Sequence, residues 1–214
     1  MNAIASPTRV TFERPTDPAD SVRASSAVRF LDIPERSCLM VDGRGAPEDN
    51  TDFTEAMGAL YPVAYTLHFA LRRSGRVERI GPLEGLWRSV ASMTRAGDSP
   101  SPAEPVGGWD WTLLIGLPEV ATAEEVEAAI IAVRAKRAPP GLDRLRVVRW
   151  TEGPCAQILH VGPYDAEAPT IARLHEAIRA AGLRPRGTHH EIYLGDPRRS
   201  APERLRTVLR QPVE

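Results

Sequence analysis

The sequence predicts an α+β fold in which one strand-helix-strand-strand unit occurs twice, with pseudo-two-fold symmetry. Three observations lead to this prediction. Several short runs rich in Val, Ile, Leu and aromatic residues are typical of strands. Longer segments carry apolar residues at helical spacing, and in both copies such a segment follows a strand. Ala138–Gly141, with two prolines and a glycine, is the clearest linker and lies between the copies.

The first copy follows residues 1–27, whose Ser, Pro, Ala and Asp content predicts a mobile tail. Asp49–Asp52 offers helix caps, and Pro62 is expected to kink or restart the helix that they introduce. Residues 91–108 are expected to form a loop. The predicted elements are a strand or bent hairpin (Val28–Ile33, Ser37–Asp42), a helix (Phe53 to about Arg73) and two strands (Gly81–Trp87, Trp109–Gly116).

A connecting helix over Thr122–Arg137 has acidic residues early and basic residues late, which matches the helix dipole. The second copy then repeats the order with two strands (Leu145–Trp150, Cys155–Val161), a helix (Pro169–Ala181) and two strands (His189–Leu194, Leu205–Arg210). We therefore expect one domain over residues 28–214. Its parts are repeat one at about 28–120, the connecting helix and linker at about 121–141, and repeat two at about 142–214.

Composition limits the classes of function. The 214 residues are 42% hydrophobic and 26% charged, which is ordinary for a soluble globular protein, and the net charge of −1 offers no basic field for nucleic acid. Cys38 and Cys155 lie in apolar runs and are expected to be buried free thiols. The sequence shows no zinc-type Cys/His spacing, phosphate loop, secretion segment or membrane-length apolar run. We expect a cytoplasmic protein without metal, nucleic-acid or membrane partners.

The strand His189–Leu194 carries the strongest chemical signal, and Gly195–Pro197 ends it by turn chemistry. Alternation places His189, Glu191 and Tyr193 on one face. A carboxylate in a partly apolar, aromatic surrounding can attract cations, or can act as an acid or base with a raised pKa. The alternative interpretation is that this strand face is exposed to solvent and has no chemical role. His189 and His190 face opposite ways, so they are not expected to bind one metal ion.

The two copies correspond around this strand as well. Glu84–Trp87 takes the place in the first copy that Glu191–Leu194 takes in the second, because each has an acid followed by an aromatic residue. Strict alternation places Glu84 and Trp87 on opposite faces, unless Gly85 marks a bulge.

Several motifs resemble the stand-alone GyrI-like small-molecule-binding family. They occur in order, with spacing typical of the family, from about residue 28 to the end. The motifs are Tyr61–Leu67, Pro82–Trp87, His160–Tyr164, His189–Arg199 and Ala201–Glu203. This resemblance implies the duplicated fold, with a central aromatic-lined pocket between the halves and a buried glutamate, which by motif position is Glu191. Arg88 departs from the pattern, since many relatives have a second tryptophan there.

The resemblance also implies a range of activities. Some stand-alone members are similar to hydrolases that open the strained cyclopropane of DNA-alkylating natural products of the duocarmycin and yatakemycin kind, and others only bind small molecules. Multidrug-responsive activators place the same domain after a DNA-binding module, which this sequence lacks. The chemistry needs no cofactor, because ring strain supplies much of the driving force.

The His189–Leu194 strand and the family resemblance together indicate a candidate site. Glu191 is the expected base, and a phenol, Tyr65 or Tyr193, would donate a hydrogen bond to the substrate carbonyl. For the tryptophans and the tyrosines of the helix, packing in the core is the alternative interpretation. The expected ligand-binding residues are Trp87, Trp111, Tyr61, His68, Tyr164, Met40 and His189.

Three functions remain open at this stage. The first is binding and hydrolysis of hydrophobic, cyclopropanoid-type electrophiles as a form of detoxification. The second is binding, sequestering or sensing of planar or cationic small molecules without turnover. The third is a protein-interaction module of the gyrase-inhibitor kind, for which a protein partner is needed.

Overall fold

The computed structural model describes residues 10–47, 50–76, 79–89 and 108–214. Its helices are α1 (Pro18–Ser21), α2 (Thr51–Arg73), α3 (Ala123–Lys136) and α4 (Ala168–Ala180). Its strands are β1 (Arg29–Ile33), β2 (Arg36–Arg44), β3 (Leu83–Ser89), β4 (Trp109–Gly116), β5 (Arg146–Trp150), β6 (Gly153–Val161), β7 (His189–Tyr193) and β8 (Arg206–Pro212). The order strand, helix, strand, strand occurs twice, as β2-α2-β3-β4 and β6-α4-β7-β8, which confirms the predicted α+β fold.

The helix boundaries follow local sequence signals. The side chain of Asn50 accepts a hydrogen bond from the Phe53 amide and so caps α2, which runs through Pro62 as one helix of 23 residues. Thr122 and Glu125 form a capping box at the start of α3. The loop predicted at residues 91–108 lies, except for residue 108, outside the described residues.

Two compact units make up the described chain. The first unit contains residues 35–47, 50–76, 79–89 and 108–151, and the second contains residues 10–34 and 152–214. These limits differ from those expected for the repeats, because β1 pairs with β6 and β5 pairs with β2. In each unit, therefore, one edge strand comes from the stretch of sequence that was expected to form the other repeat.

The first unit has an antiparallel sheet in the order β3-β4-β2-β5. Helix α2 contacts β2, β4 and α3. The predicted apolar stripe of α2 is buried, namely Leu60, Ala64, Leu67 and Leu71.

The second unit has an antiparallel sheet in the order β1-β6-β8-β7. Helix α4 packs on one face of this sheet. The core between them contains Ala156, Ile158 and Leu209 from the sheet and the predicted apolar residues Ile171, Leu174 and Ile178 from the helix.

Residues 10–27 have defined contacts, whereas the sequence predicted a mobile tail there. Phe12 packs edge-to-face on Phe30, and Glu13 bridges to Leu31. Backbone carbonyls farther along accept hydrogen bonds from the second unit: Arg210 donates to Ser21, and the Gln157 amide donates to Arg23 at 3.0 Å. The contacts of Ser21 and Arg23 use backbone carbonyls, so the sequence shows no apolar pattern from which they could be predicted.

The two units share the same strand register. Strands β1 and β5 each have five residues, and β2 and β6 each have nine. Cys38 and Cys155 occupy the same place in β2 and β6, where they lie opposite Gly116 and Pro212. Both cysteines are buried, as predicted.

This register corrects one expected correspondence. Glu84 lies opposite Leu114, two residues before Gly116, and His190 lies opposite Arg210, two residues before Pro212. Glu84 therefore corresponds to His190, and Gly85 corresponds to Glu191. A slip of one residue moves a side chain to the other face of a sheet, so Glu84 is not the counterpart of Glu191.

Candidate functional site

The face of β7 that carries Glu191 is organised as alternation predicts. Glu191 is buried, and the Tyr193 hydroxyl donates a hydrogen bond of 3.0 Å to its Oε2. The His189 Nε2 lies 3.7 Å from the Glu191 Oε1, beyond hydrogen-bond distance. Glu191 Oε2 is therefore fixed by a phenol, while its second oxygen faces a buried imidazole.

A second buried carboxyl, Glu167, accompanies Glu191 in this unit. Glu167 immediately precedes α4, and its carbonyl accepts hydrogen bonds from the amides of Thr170 at 2.9 Å and Ile171 at 3.0 Å. Its side chain is buried and does not cap the helix. Nothing in the sequence indicated that Glu167 is buried, because an acidic residue at a helix start is normally exposed and interacts with the helix dipole.

The sheet surface beside Glu191 is formed by β8. Thr207 lies opposite Tyr193, and Leu209 lies opposite Glu191. Leu209 belongs to the core beneath α4, so this row of residues lies on the sheet face that α4 covers. Glu191 therefore lies on the sheet face that α4 covers, and Glu167 immediately precedes that helix.

Burial dominates the electrostatics of the two carboxyls. It raises the pKa of Glu167, and the negative charge of Glu191 raises it further, while the nearby Thr207 hydroxyl lowers it. Burial also raises the pKa of Glu191, against the lowering effects of the Tyr193 hydrogen bond and of His190. Two buried carboxyls that repel each other cannot easily be ionised together, so they titrate as a pair.

The histidines next to the pair remain neutral. Burial, together with His175 and His190, lowers the pKa of His189 to about 3. Burial and the charge of Arg179 also lower the pKa of His175. Neutral imidazoles cannot neutralise the carboxylates by ion pairing, so the site favours a proton or a cationic ligand as counter-charge.

Several buried polar atoms of this cluster have no hydrogen-bond partner within the described part of the chain. They are Glu167 Oε1, His175 Nε2 and both ring nitrogens of His189. A buried polar group without a partner costs about 1–3 kcal/mol. These atoms therefore have hydrogen-bonding capacity that a polar ligand group could use.

Tyr164 lies at the edge of the same cluster. Its ring meets that of Tyr193 edge-to-face, with 5.7 Å between centroids, and 38% of the residue is exposed. The ligand-binding role of Tyr164 stays a prediction.

The opposite face of β7 carries a buried ionic network that the sequence analysis missed. His190 Nδ1 lies 2.9 Å from Glu152 Oε1, and the Arg210 guanidinium donates to Glu152 Oε2 at 2.8 Å and to Gln157 Oε1 at 2.9 Å. Burial favours the neutral form of Glu152, but His190 and Arg210 outweigh it and lower its pKa to about 2. The network ties β7 and β8 together directly behind Glu191.

The other predicted site residues lie in the first unit. Trp111 is fully buried, donates from Nε1 to the Gly45 carbonyl at 3.0 Å and contacts Phe53 edge-to-face. Trp87 is buried against Phe53 and Trp109. Both tryptophans thus belong to a packed aromatic cluster.

Met40 belongs to an apolar cluster with Cys38 and Leu114. In the same unit, the buried carboxylate of Glu84 accepts a hydrogen bond from Arg36 Nη1 at 2.6 Å, with the guanidinium over the Trp150 ring. The register of β3 with β4 is continuous, without a bulge at Gly85, so Glu84 and Trp87 lie on opposite faces.

Helix α2 carries a stacked row of aromatic rings. Tyr61 stacks on Tyr65 with centroids 6.3 Å apart, and Tyr65 stacks on Phe69 at 6.2 Å. His68 meets Phe69 edge-to-face, and Tyr65 and Phe69 are 47% and 50% exposed. Tyr65 belongs to the first unit, so within the second unit the phenol that contacts Glu191 is Tyr193.

Both a family model and solved structures match this chain. A family model described as a GyrI-like small-molecule-binding domain matches residues 117–214. An uncharacterized conserved protein from Listeria innocua is 33% identical, with a TM-score of 0.80 over 92% of this chain and 97% of that chain. This chain belongs to the GyrI-like family.

More distant comparisons extend this GyrI-like relationship. A hydrolase from Listeria innocua is 31% identical, with a TM-score of 0.75 over 92% of this chain and 96% of that chain. The C-terminal domain of EcmrR shares the fold at 11% identity, with a TM-score of 0.53 over 88% of this chain and 97% of that chain. The comparison with curated proteins found no significant match.

The region matched by the GyrI-like model contains the whole Glu167–Glu191 cluster and the network behind it. Within the residues that the structure describes, no group of three or more His, Cys, Asp or Glu side chains is arranged to hold a metal ion. Over the same residues, no helix is both long enough and apolar enough to cross a membrane.

Proposed function

We propose that this GyrI-like protein detoxifies hydrophobic, planar electrophiles of the cyclopropanoid type by adding water to them, with Glu191 as the general base. Membership of a small-molecule-binding family and 31% identity to a Listeria innocua hydrolase support this proposal. The net charge of −1 favours a small-molecule ligand over nucleic acid.

The observation that carries the proposal is the state of the Glu191 carboxyl. It is buried, the Tyr193 hydroxyl holds one of its oxygens, and its pKa is raised above the ordinary glutamate value. A general base works best when its pKa approaches the working pH, because it is then both available and basic enough to accept a proton.

The proposed step has a simple balance of atoms and electrons. The Glu191 carboxylate accepts a proton from a water molecule as the water oxygen forms a bond to a cyclopropane carbon. The strained carbon–carbon bond breaks, and its electron pair moves through the conjugated ring to the carbonyl oxygen. The proton on Glu191 is then returned to that oxygen directly or through solvent, so the net reaction is addition of water.

Tyr193 has a more specific role in this proposal than the sequence suggested. Its hydroxyl already donates to Glu191, so it orients the base and leaves the other carboxylate oxygen for water. The role of Tyr65 as hydrogen-bond donor to the substrate carbonyl stays a prediction, as do the ligand-binding roles of Trp87, Trp111 and Met40.

The test is incubation of the purified protein with a duocarmycin-type compound, followed by mass spectrometry of the water adduct. We expect catalytic formation of the adduct by the wild type and a loss of about 10²- to 10⁴-fold in Glu191→Gln, which removes the base but keeps the shape. Glu203→Gln is the matched control, because Glu203 is an exposed glutamate of the same unit. Wild-type adduct formation no faster than in buffer, or unchanged turnover in Glu191→Gln, would overturn the assignment.

A second candidate is binding of organic cations without turnover. It is favoured by the two buried carboxyls, because burial keeps the neighbouring His175 and His189 rings neutral and unable to form ion pairs with them. Under this alternative Glu191→Gln should lose affinity for a cationic dye. A hydrolase that uses Glu191 only as a base should instead lose turnover and keep most of its affinity for a neutral substrate.

A further inference from the structure

The imidazole of His189 is a buried polar ring that the packing of the second unit does not account for. His189 begins β7 and is 2% exposed, yet neither of its ring nitrogens has a hydrogen-bond partner among the described residues. A buried polar group without a partner is costly, and a phenyl ring would fill the same space without that cost. The nitrogens of His189 are therefore better explained by a bond to a bound molecule than by packing.

The ring nitrogen Nε2 of His189 faces the carboxyl of Glu191. It lies 3.7 Å from the Glu191 Oε1, which is too far for a direct hydrogen bond. Polar atoms at such a separation are commonly bridged by one water molecule. The hydroxyl of Tyr193 is bound to Oε2, so the carboxylate oxygen that faces His189 is not the one that Tyr193 holds.

A single water molecule can bridge this distance with ordinary hydrogen bonds. A water oxygen at about 2.8 Å from both atoms would make two hydrogen bonds with angles of about 160°, within the preferred range. The side chain of Glu191 is 7% exposed, so the position is in reach of solvent.

We propose that His189 and Glu191 together hold the water that attacks the substrate, with His189 Nε2 and Glu191 Oε1 as its two hydrogen-bond partners. The catalytic role of this water rests on the proposed hydrolase function, but the water site itself can be tested without a substrate. His189 contacts the nucleophile directly in this arrangement, whereas Tyr193 acts through Glu191.

A neutral imidazole is well matched to this role. Burial, with smaller effects of His175 and His190, lowers the pKa of His189 to about 3, so its ring is uncharged near pH 7. A neutral imidazole donates at one nitrogen and accepts at the other. With its own proton on Nδ1, His189 accepts a hydrogen bond from one water proton while the Glu191 carboxylate accepts one from the other. During attack the second proton moves to Glu191, and the first stays on the oxygen as part of the new hydroxyl group.

The first experiment is a high-resolution crystal structure of the full chain without substrate, together with that of His189→Phe. In the wild type we expect a water oxygen within about 3 Å of both His189 Nε2 and Glu191 Oε1. His189→Phe keeps the shape of the ring but has no nitrogen, so this water should be lost while the hydrogen bond from Tyr193 to Glu191 remains. A wild-type structure without a water between the two side chains would overturn the proposal.

The second experiment measures turnover of a duocarmycin-type compound by His189→Phe and His189→Gln. In His189→Phe we expect kcat to fall about 10²-fold with little change in KM, because the water and not the substrate loses its partner. Glutamine places an amide close to the position of Nε2, so His189→Gln should keep most of the wild-type kcat. Equal losses in the two variants, or an unchanged kcat in His189→Phe, would contradict the assigned role.

The two experiments separate this inference from the proposed function. Turnover that requires Glu191 but not His189 would retain the hydrolase and reject the role of His189. A bridging water without turnover of any cyclopropanoid compound would retain the water site and reject the hydrolase. The wild-type crystal structure decides the question if His189→Phe does not fold.

Discussion

Gly43 shows how one residue determines the aromatic cluster of the first unit. The Trp111 indole packs directly over Gly43, and a Cβ atom at this position would lie 2.1 Å from the ring. Only a residue without a side chain permits this contact. The position of Trp111, and through it the packing of Phe53, therefore depends on a glycine just beyond the predicted strand Ser37–Asp42.

We predict that Gly43→Ala lowers the free energy of unfolding by about 1–3 kcal/mol, because the methyl group overlaps a buried ring. The measurement is urea denaturation followed by tryptophan fluorescence. Gly58→Ala is the matched control: a Cβ there meets nothing within 4 Å, and alanine in a helix stabilises by about 0.5–1 kcal/mol relative to glycine. Equal effects of the two changes would contradict the packing argument.

At the same scale, the sequence predicted that Glu191 and Tyr193 share one strand face but did not predict the burial of Glu167 and Arg210. Alternation along a strand is a local property, so it correctly placed Glu191 beside Tyr193. Burial of Glu167 depends on the distant strand β8, and nothing in the residues around Glu167 reports that contact. Arg210 was likewise assigned to an ordinary strand, because its three partners come from separate parts of the chain.

At the scale of elements, the β7–β8 pair separates two kinds of chemistry on its two faces. One face carries the carboxyl site, and the other carries the network of Glu152, His190 and Arg210. A buried ion pair is seldom a net source of stability, but removal of one partner leaves an uncompensated charge. Replacement of any one of these three residues is therefore expected to disturb the pairing of β7 with β8.

We predict that Arg210→Met lowers the free energy of unfolding by about 3–5 kcal/mol, because it leaves Glu152 buried without its guanidinium partner. Chemical denaturation monitored by circular dichroism measures this loss. Arg206→Met tests the neighbouring exposed arginine of β8 and should change stability by about 0.5 kcal/mol or less. A small effect of Arg210→Met would mean that the network is not a structural requirement.

The order of elements was predictable from sequence, whereas the pairing of the end strands was not. Apolar periodicity and caps identified α2, α3 and α4 to within a few residues. The pairing of β1 with β6 joins residues more than a hundred positions apart, and local patterns carry no information about it. The one-residue difference between Glu84 and Glu191 was hidden for the same reason, since register is set by the partner strand.

At the scale of the whole molecule, the buried acids give stability an uncommon dependence on pH. The raised pKa values of Glu167 and Glu191 mean that the folded state binds protons more tightly than the unfolded state. Their contribution is complete below the ordinary glutamate pKa and is lost as the pH rises through the raised values. Glu152 acts in the opposite sense, because its contribution is lost only as the pH falls towards its pKa of about 2.

We predict that the free energy of unfolding decreases between about pH 5 and pH 8, the interval above the ordinary glutamate pKa. The double variant Glu167→Gln/Glu191→Gln should flatten this decrease, and Glu203→Gln should not. Urea denaturation at four pH values across the interval provides the measurement. A slope that is the same in the wild type and the double variant would show that other groups control it.

The exchange of end strands also affects the order of events during synthesis. Strand β1 needs β6 as its partner, and the ribosome makes β6 only after more than a hundred further residues. At about 5–20 residues per second, the β1 segment emerges roughly ten seconds before its partner exists. For that time β1 lacks its partner strand, and its open edge can pair with another chain until β6 has been made.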